Sequence, residues 1–131
     1  MLKYGIESAP LTTDFGIDLV AYYPKNEKVT TIQVKTNLEP KPAGGTGKLS
    51  LDWWIPKKNP AKVMALVDME KNRVWVFKKD ELKKLPNLQS SKEKYHICMY
   101  TDPNAKPKGM LRTDKEFEQY LFDKRYNGLF Y

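Results

Sequence analysis

Residues 17–23 are a short apolar run rich in strand formers that stops at Pro24, and residues 29–35 are a second, β-branched run of similar length. Lys25, Asn26, Glu27 and Lys28 supply the turn between them, so the pair predicts an antiparallel hairpin. From Thr36 to Gly47 the composition shifts to Pro, Gly, Lys and Thr, the signature of a long loop. Residues 49–55 are apolar but too few to separate strand from short helix by period. Residues 62–69 and 73–77 form a second predicted hairpin around Glu70, Lys71 and Asn72. One or two helical turns are expected at 80–85 and a strand at 95–100. A capping box, Thr113 with Glu116, opens a C-terminal helix that runs through Phe117, Tyr120 and Leu121. The expected class is α/β: a central mixed sheet flanked by helices, whose first hairpin is its most legible part.

Composition narrows the setting. A chain of 131 residues with 40% hydrophobic side chains is expected to fold as one domain, residues 1–131, without disulfide staples. Cys98 is the only cysteine, which excludes an intramolecular disulfide and a thiolate zinc site and fits a reducing, intracellular setting. No apolar run approaches the length that spans a bilayer, and the first ten residues lack the apolar core of a secretion signal, so no membrane partner is expected. The net charge of +7 favours a polyanionic partner.

Strand alternation turns the first hairpin into a candidate site. Gln33 and Lys35 share one face of their strand, while Ile32 and Val34 share the other. On the preceding strand Ile17, Leu19 and Ala21 form the apolar face, leaving Asp18 on the opposite side. If burial brings the apolar faces into phase, an acid, an amide and an amine converge, with Asp18 opposite either Gln33 or Lys35. A hard cation such as Mg²⁺ or Mn²⁺ takes oxygen ligands: the Asp18 carboxylate, the Gln33 side-chain carbonyl and a strand carbonyl such as that of Val34. Lys35 is then placed to orient or help deprotonate an attacking water and to neutralise charge on a phosphorane. Phosphodiester hydrolysis is the chemistry this set suits.

Gly16, Ile17, Asp18 and Leu19, followed fifteen positions after Asp18 by Gln33, Val34, Lys35 and Thr36, resemble the PD-(D/E)XK nuclease superfamily of restriction endonucleases and Holliday-junction resolvases. The resemblance covers about the first third of the chain. It implies a restriction-endonuclease-like core in which Asp18 and Gln33 bind the metal and Lys35 assists the water. Gln33 stands where the family has an acidic residue, a variant found in some members, including certain homing endonucleases; it lowers the site charge by one. The family core opens with a helix carrying a supporting Glu, but here seventeen residues precede Asp18 and Pro10 interrupts them, so that helix is expected to be missing. Glu7 is a minor candidate for its role and Asp14 for a second ligand. The implied activity is a Mg²⁺-dependent endonuclease acting on nucleic acid, most naturally DNA, with a homodimer or larger assembly as its expected partner state. The alternative is a catalytically silent module of the same fold that binds nucleic acid or a partner protein.

Plainer readings stand beside these. One Asp and one Lys on a strand pair usually make a weak surface ion pair, and only the joint pattern with in-phase apolar faces argues otherwise. Gly44 to Lys48 imitates a phosphate loop, but that motif needs Gly where Pro42 stands and Ser or Thr where Leu49 stands. Lys41 and Lys48 flank the flexible glycines and Lys57 and Lys58 follow residues 49–55; these four are the candidate contacts to a nucleic-acid backbone. Trp53 and Trp54 are either base-stacking or core residues, and His96 and Cys98, without an orienting third group, read as packing residues.

Overall fold

The computed structural model describes residues 1–12, 15–85, 88–105 and 112–130. Its N-terminal segment is a 3-10 turn, Leu2–Tyr4, followed by a strand, β1, at Glu7–Pro10. Among the described residues no α-helix precedes the first hairpin, only this 3-10 turn. The strand was not expected, because all four of its residues are exposed and no alternation of burial marks it.

The two hairpins form as read and join into one mixed sheet. β2 (Leu19–Tyr23) lies antiparallel between β1 and β3 (Lys28–Asn37). After a short β4 (Lys41–Pro42) the chain enters β5 (Leu49–Pro56), which settles residues 49–55 as strand. Then β6 (Val63–Asp68) returns to pair in parallel with β3, and β7 (Arg73–Lys78) closes the sheet antiparallel to β6, in the order β1-β2-β3-β6-β7. A parallel pair requires a crossover. Here β5, in a second sheet, serves as the crossover in place of a long helix.

The second sheet has the order β10-β9-β5-β4, with β8 (Gln89–Ser90) added on β9 (Lys94–Tyr100) and β10 (Arg112–Thr113) running parallel to β9. Leu51, Trp53 and Ile55 of β5 and Ile97 and Met99 of β9 pack against Met64, Leu66, Trp75 and Phe77 of the first sheet. The opposite face of the first sheet is closed by the chain ends, with Ile6, Leu129 and Phe130 set on Ala21, Ile32, Val63 and Val76. Buried on both faces, β6 reads as a continuous apolar run and not as an alternating one.

The helices are shorter than expected. α1 is Lys79–Leu82, and the Thr113–Glu116 capping box forms, but it opens a 3-10 segment, Asp114–Tyr120. The expected continuous C-terminal helix is broken at Leu121, whose extended backbone bridges Trp75 at the sheet edge; a separate turn, α2 at Phe122–Arg125, follows. A tertiary contact overrides the local helix signal.

The β6–β7 turn is tied down electrostatically. Asp68, 1% exposed, accepts from Nε and Nη2 of Arg73 at 3.1 and 2.9 Å, and Asp114 accepts from Nη1 at 2.7 Å. Two buried carboxylates thus share one guanidinium, which also lies over the Trp75 ring at 4.8 Å. Removing that guanidinium leaves both carboxylates desolvated and unpaired, a loss of about 3 kcal/mol or more. Arg73→Ala is therefore expected to lower the urea midpoint by that equivalent, and a change under about 1 kcal/mol would show that the pairings contribute little.

Candidate active site

The hairpin faces are in phase. Leu19, Ala21 and Tyr23 of β2 share an apolar face with Ile32 and Val34 of β3, all packed in the cluster under the chain ends. Gln33 and Lys35 take the other face, beside their register partners Met64 and Leu66, which point at the second sheet.

Asp18 reaches this strand by a route that alternation alone does not give. The ladder runs from Tyr23 opposite Lys28 to Leu19 opposite Ile32. The Asp18 amide also donates to the Ile32 carbonyl, at 2.9 Å, so the chain is one residue out of step here, as in a β-bulge. The slip carries the carboxylate to the Val34 amide, which donates to Oδ2 at 2.7 Å. Strand N–H groups lie in the plane of the sheet, so the carboxylate sits at the sheet edge, level with the residue between Gln33 and Lys35. The Val34 carbonyl points the same way as its amide, and β2 ends at Leu19, so no strand residue meets it.

Gly16 makes the slip sterically feasible. Its φ is +83°, and a Cβ there would stand 3.0 Å from Cδ of Pro60. Pro60 is held in turn by the Asn59 side chain, whose Oδ1 accepts from the Ala61 amide at 2.9 Å. Sequence reading quoted Gly16 without its reason and missed the Asn59–Pro60 support, since nothing local links residues so far apart.

Gln33 is 8% exposed, and its Oε1 is buried without a hydrogen-bond donor among the described residues, while the indole N–H groups of Trp53 and Trp75 are buried without an acceptor among them. An acceptor left in that state costs about 1–3 kcal/mol. Lys35 is half-buried and has no acidic partner among the described residues. No group of three or more His, Cys, Asp or Glu side chains is placed to hold a metal among them either, and the carboxylate that the described contacts bring to this strand is that of Asp18.

The other candidates are dispersed. Glu7 stands opposite Tyr22, four residues along β2 from Asp18, or about 13 Å at the strand rise. Asp14 lies outside the described residues. Lys41 and Lys48 are at the start of β5, with Lys48 3.7 Å from Asp102, whereas Lys57 and Lys58 follow its far end, roughly 25 Å away.

The outer face of the second sheet carries a polar network that the sequence reading did not find, although period-2 alternation places its members together. Asp52 accepts from Ser50 Oγ at 2.7 Å and contacts His96 Nε2 at 2.7 Å, while Gln89 meets His96 Nδ1 at 3.3 Å. Trp54 stacks on the imidazole at 4.0 Å, whereas Trp53 is in the core. With Asp52 between them, serine and histidine share no proton path. Burial, with the Asp52 charge, pushes the Cys98 thiol up to about 11, so neither Ser50 nor Cys98 is an activated nucleophile.

No protein-family model matches this chain, and no curated protein matches it in sequence. A bacterial homing endonuclease, I-Ssp6803I, matches it in structure with a TM-score of 0.57 over 98% of this chain and 79% of that one, at 18% identity. The chain has a nuclease fold. At that identity the likeness concerns the fold alone, with its mixed sheet and few short helices.

Substituting Gly16 tests how the carboxylate is positioned. Gly16→Ala forces a side chain into the left-handed region and against Pro60, and should destabilise by about 1 kcal/mol or more. The Val34 amide should lose hydrogen-exchange protection out of proportion to that loss. Unchanged protection would mean that the Asp18–Val34 contact does not depend on the Gly16 turn.

Proposed function

We propose that this chain is a metal-dependent endonuclease of the PD-(D/E)XK type, with Gln33 at the acidic position, that hydrolyses phosphodiester bonds of DNA. The observation that carries the reading is the Asp18 carboxylate hydrogen-bonded to the Val34 amide, beside a buried Gln33 Oε1 that has no donor. The nuclease fold shared with a homing endonuclease and the +7 charge support it.

The donor set suits a hard divalent cation, Mg²⁺ or Mn²⁺: one carboxylate, one amide oxygen and the Val34 carbonyl, none of them nitrogen or sulfur. The unsatisfied Gln33 oxygen fits such a group, because a cation would offset its desolvation. Bound there, the cation would polarise a phosphoryl oxygen and favour deprotonation of the attacking water. Asp18 holds the negative end of the site, and its hydrogen bond to Val34 fixes one carboxylate oxygen and leaves the other to bind. Lys35 orients the water and accepts its proton, and the resulting ammonium offsets charge on the phosphoryl oxygens. The water oxygen bonds to phosphorus as the bond to the leaving oxygen breaks, and that oxygen takes up a proton. With one site per chain, cutting both strands of a duplex requires a dimer or two successive nicks.

That no cluster of three or more His, Cys, Asp or Glu side chains surrounds Asp18 among the described residues favours a second reading, a silent module that binds nucleic acid or a protein without cutting. Metal binding and cleavage separate the two. Supercoiled plasmid should be nicked with Mg²⁺ or Mn²⁺ and left intact with EDTA, and Lys35→Ala should cut about 10²–10³-fold more slowly with metal affinity nearly unchanged by calorimetry. Gln33→Glu should bind Mg²⁺ more tightly, since a carboxylate attracts the ion more than an amide does, while the added charge stabilises protonated Lys35 and slows the reaction. Plasmid left intact under every metal condition supports the silent module, and unchanged affinity in Gln33→Glu removes Gln33 from the metal shell.

A further inference from the structure

The cationic surplus is concentrated at one end of the molecule. A groove of about 510 Å³ at the start of β3 and β6 is lined by Lys28, Lys62, Lys78 and Lys79, with Asp80 its one acid. A narrow cleft shares Ala61 and Lys79 with that groove and adds Lys83. It continues through Pro56 and Lys57 into a recess of about 490 Å³, which Lys57, Lys58, Lys92 and Lys94 line beside Glu93. Nine lysines against two acids therefore follow one connected depression. The recess at the opposite end of the sheets has the reverse balance, Glu39, Glu70 and Asp102 against Lys71. Lys41 and Lys48 lie outside the strip.

We infer that this strip is the track on which a nucleic-acid backbone lies, and that it leads to the Asp18 turn. The inference rests on the nuclease reading for the identity of the polyanion. Contact between strip and site is direct: Pro60 lines the first groove and packs on Gly16, two residues before Asp18. A backbone followed through the groove thus comes to the turn that carries Asp18. Lysine ammoniums are hydrated point charges on flexible stems, suited to phosphates in sequence and unsuited to the bidentate reading of bases that arginine provides. The contacts made here hold the substrate without selecting its sequence.

Salt dependence counts such contacts, because each phosphate neutralised releases counterion. A short DNA duplex titrated in EDTA, where no cleavage competes, should bind wild type with a steep fall of affinity with salt. Replacing Lys58, Lys62 and Lys92 together by Ala should reduce the slope of log K against log salt by about 2–3 and weaken binding at least about tenfold at low salt. Replacing Lys3, Lys71 and Lys115, exposed lysines off the strip, removes the same charge and should leave the slope nearly unchanged. Thermal melts of both triple variants check that each is folded. Equal losses in the two triples, no binding of the duplex, or tighter binding to phosphatidylserine vesicles than to DNA would overturn the track. Strip-dependent binding without plasmid cleavage leaves the track and removes the nuclease reading; cleavage with binding indifferent to the strip does the reverse.

Discussion

The candidate site depends on the hydrogen bond from the Val34 amide to the Asp18 carboxylate, 2.7 Å long, at the point where the β2–β3 ladder falls out of step. Had the ladder continued evenly, a backbone carbonyl of β2 would have met that amide, and Asp18 would project from one face of the sheet. With the slip, a charged side chain takes the place of the carbonyl, and a charge-assisted bond of this kind is stronger than the neutral one it replaces. The slip depends in turn on Gly16 adopting a positive φ against Pro60. Backbone conformation at one glycine thus sets where the Asp18 carboxylate stands.

β3 is the strand on which the architecture and the proposed chemistry meet. It pairs antiparallel with β2 over its first half and parallel with β6 over its second, the two ladders meeting at Ile32, so the stretch from Gln33 to Lys35 is held by β6 and left open toward Asp18. Val34 and Ile32 anchor it in the cluster under the chain ends, while Gln33 and Lys35 are held against the second sheet. Groups on a strand laddered to its neighbour keep their geometry without loop motion, as a catalytic set requires. The buried, donorless oxygen of Gln33 runs against that order, since folding gains nothing from it. Such local costs concentrate where a protein binds something.

Both hairpins and the common face of Gln33 and Lys35 were legible in the sequence, because β-branched runs of strand length bounded by turn residues leave few alternatives. The type of β5 was not, since the seven positions 49–55 are too few to separate strand from helix by period. β1 escaped because an exposed edge strand has no buried face to alternate. The C-terminal helix was misread because its capping box is local, whereas the Leu121 bridge to Trp75 that breaks it is not. Asp18 was singled out, but the slip that aims it depends on Asn59 and Pro60, some forty residues away in sequence. Of the lysine strip only Lys57 and Lys58 were read from sequence, for the same reason: its members come from four separate stretches of chain and become neighbours only when the ends of two sheets are brought together.

The central claim is that Asp18 and Gln33 bind one divalent ion, and crystals soaked in Mn²⁺ test it most directly through the anomalous signal of the metal. The account predicts a peak within about 2.5 Å of both the Asp18 carboxylate and Gln33 Oε1, with the Val34 carbonyl as a third ligand. A peak elsewhere, or none at Mn²⁺ concentrations that support cleavage, would contradict it.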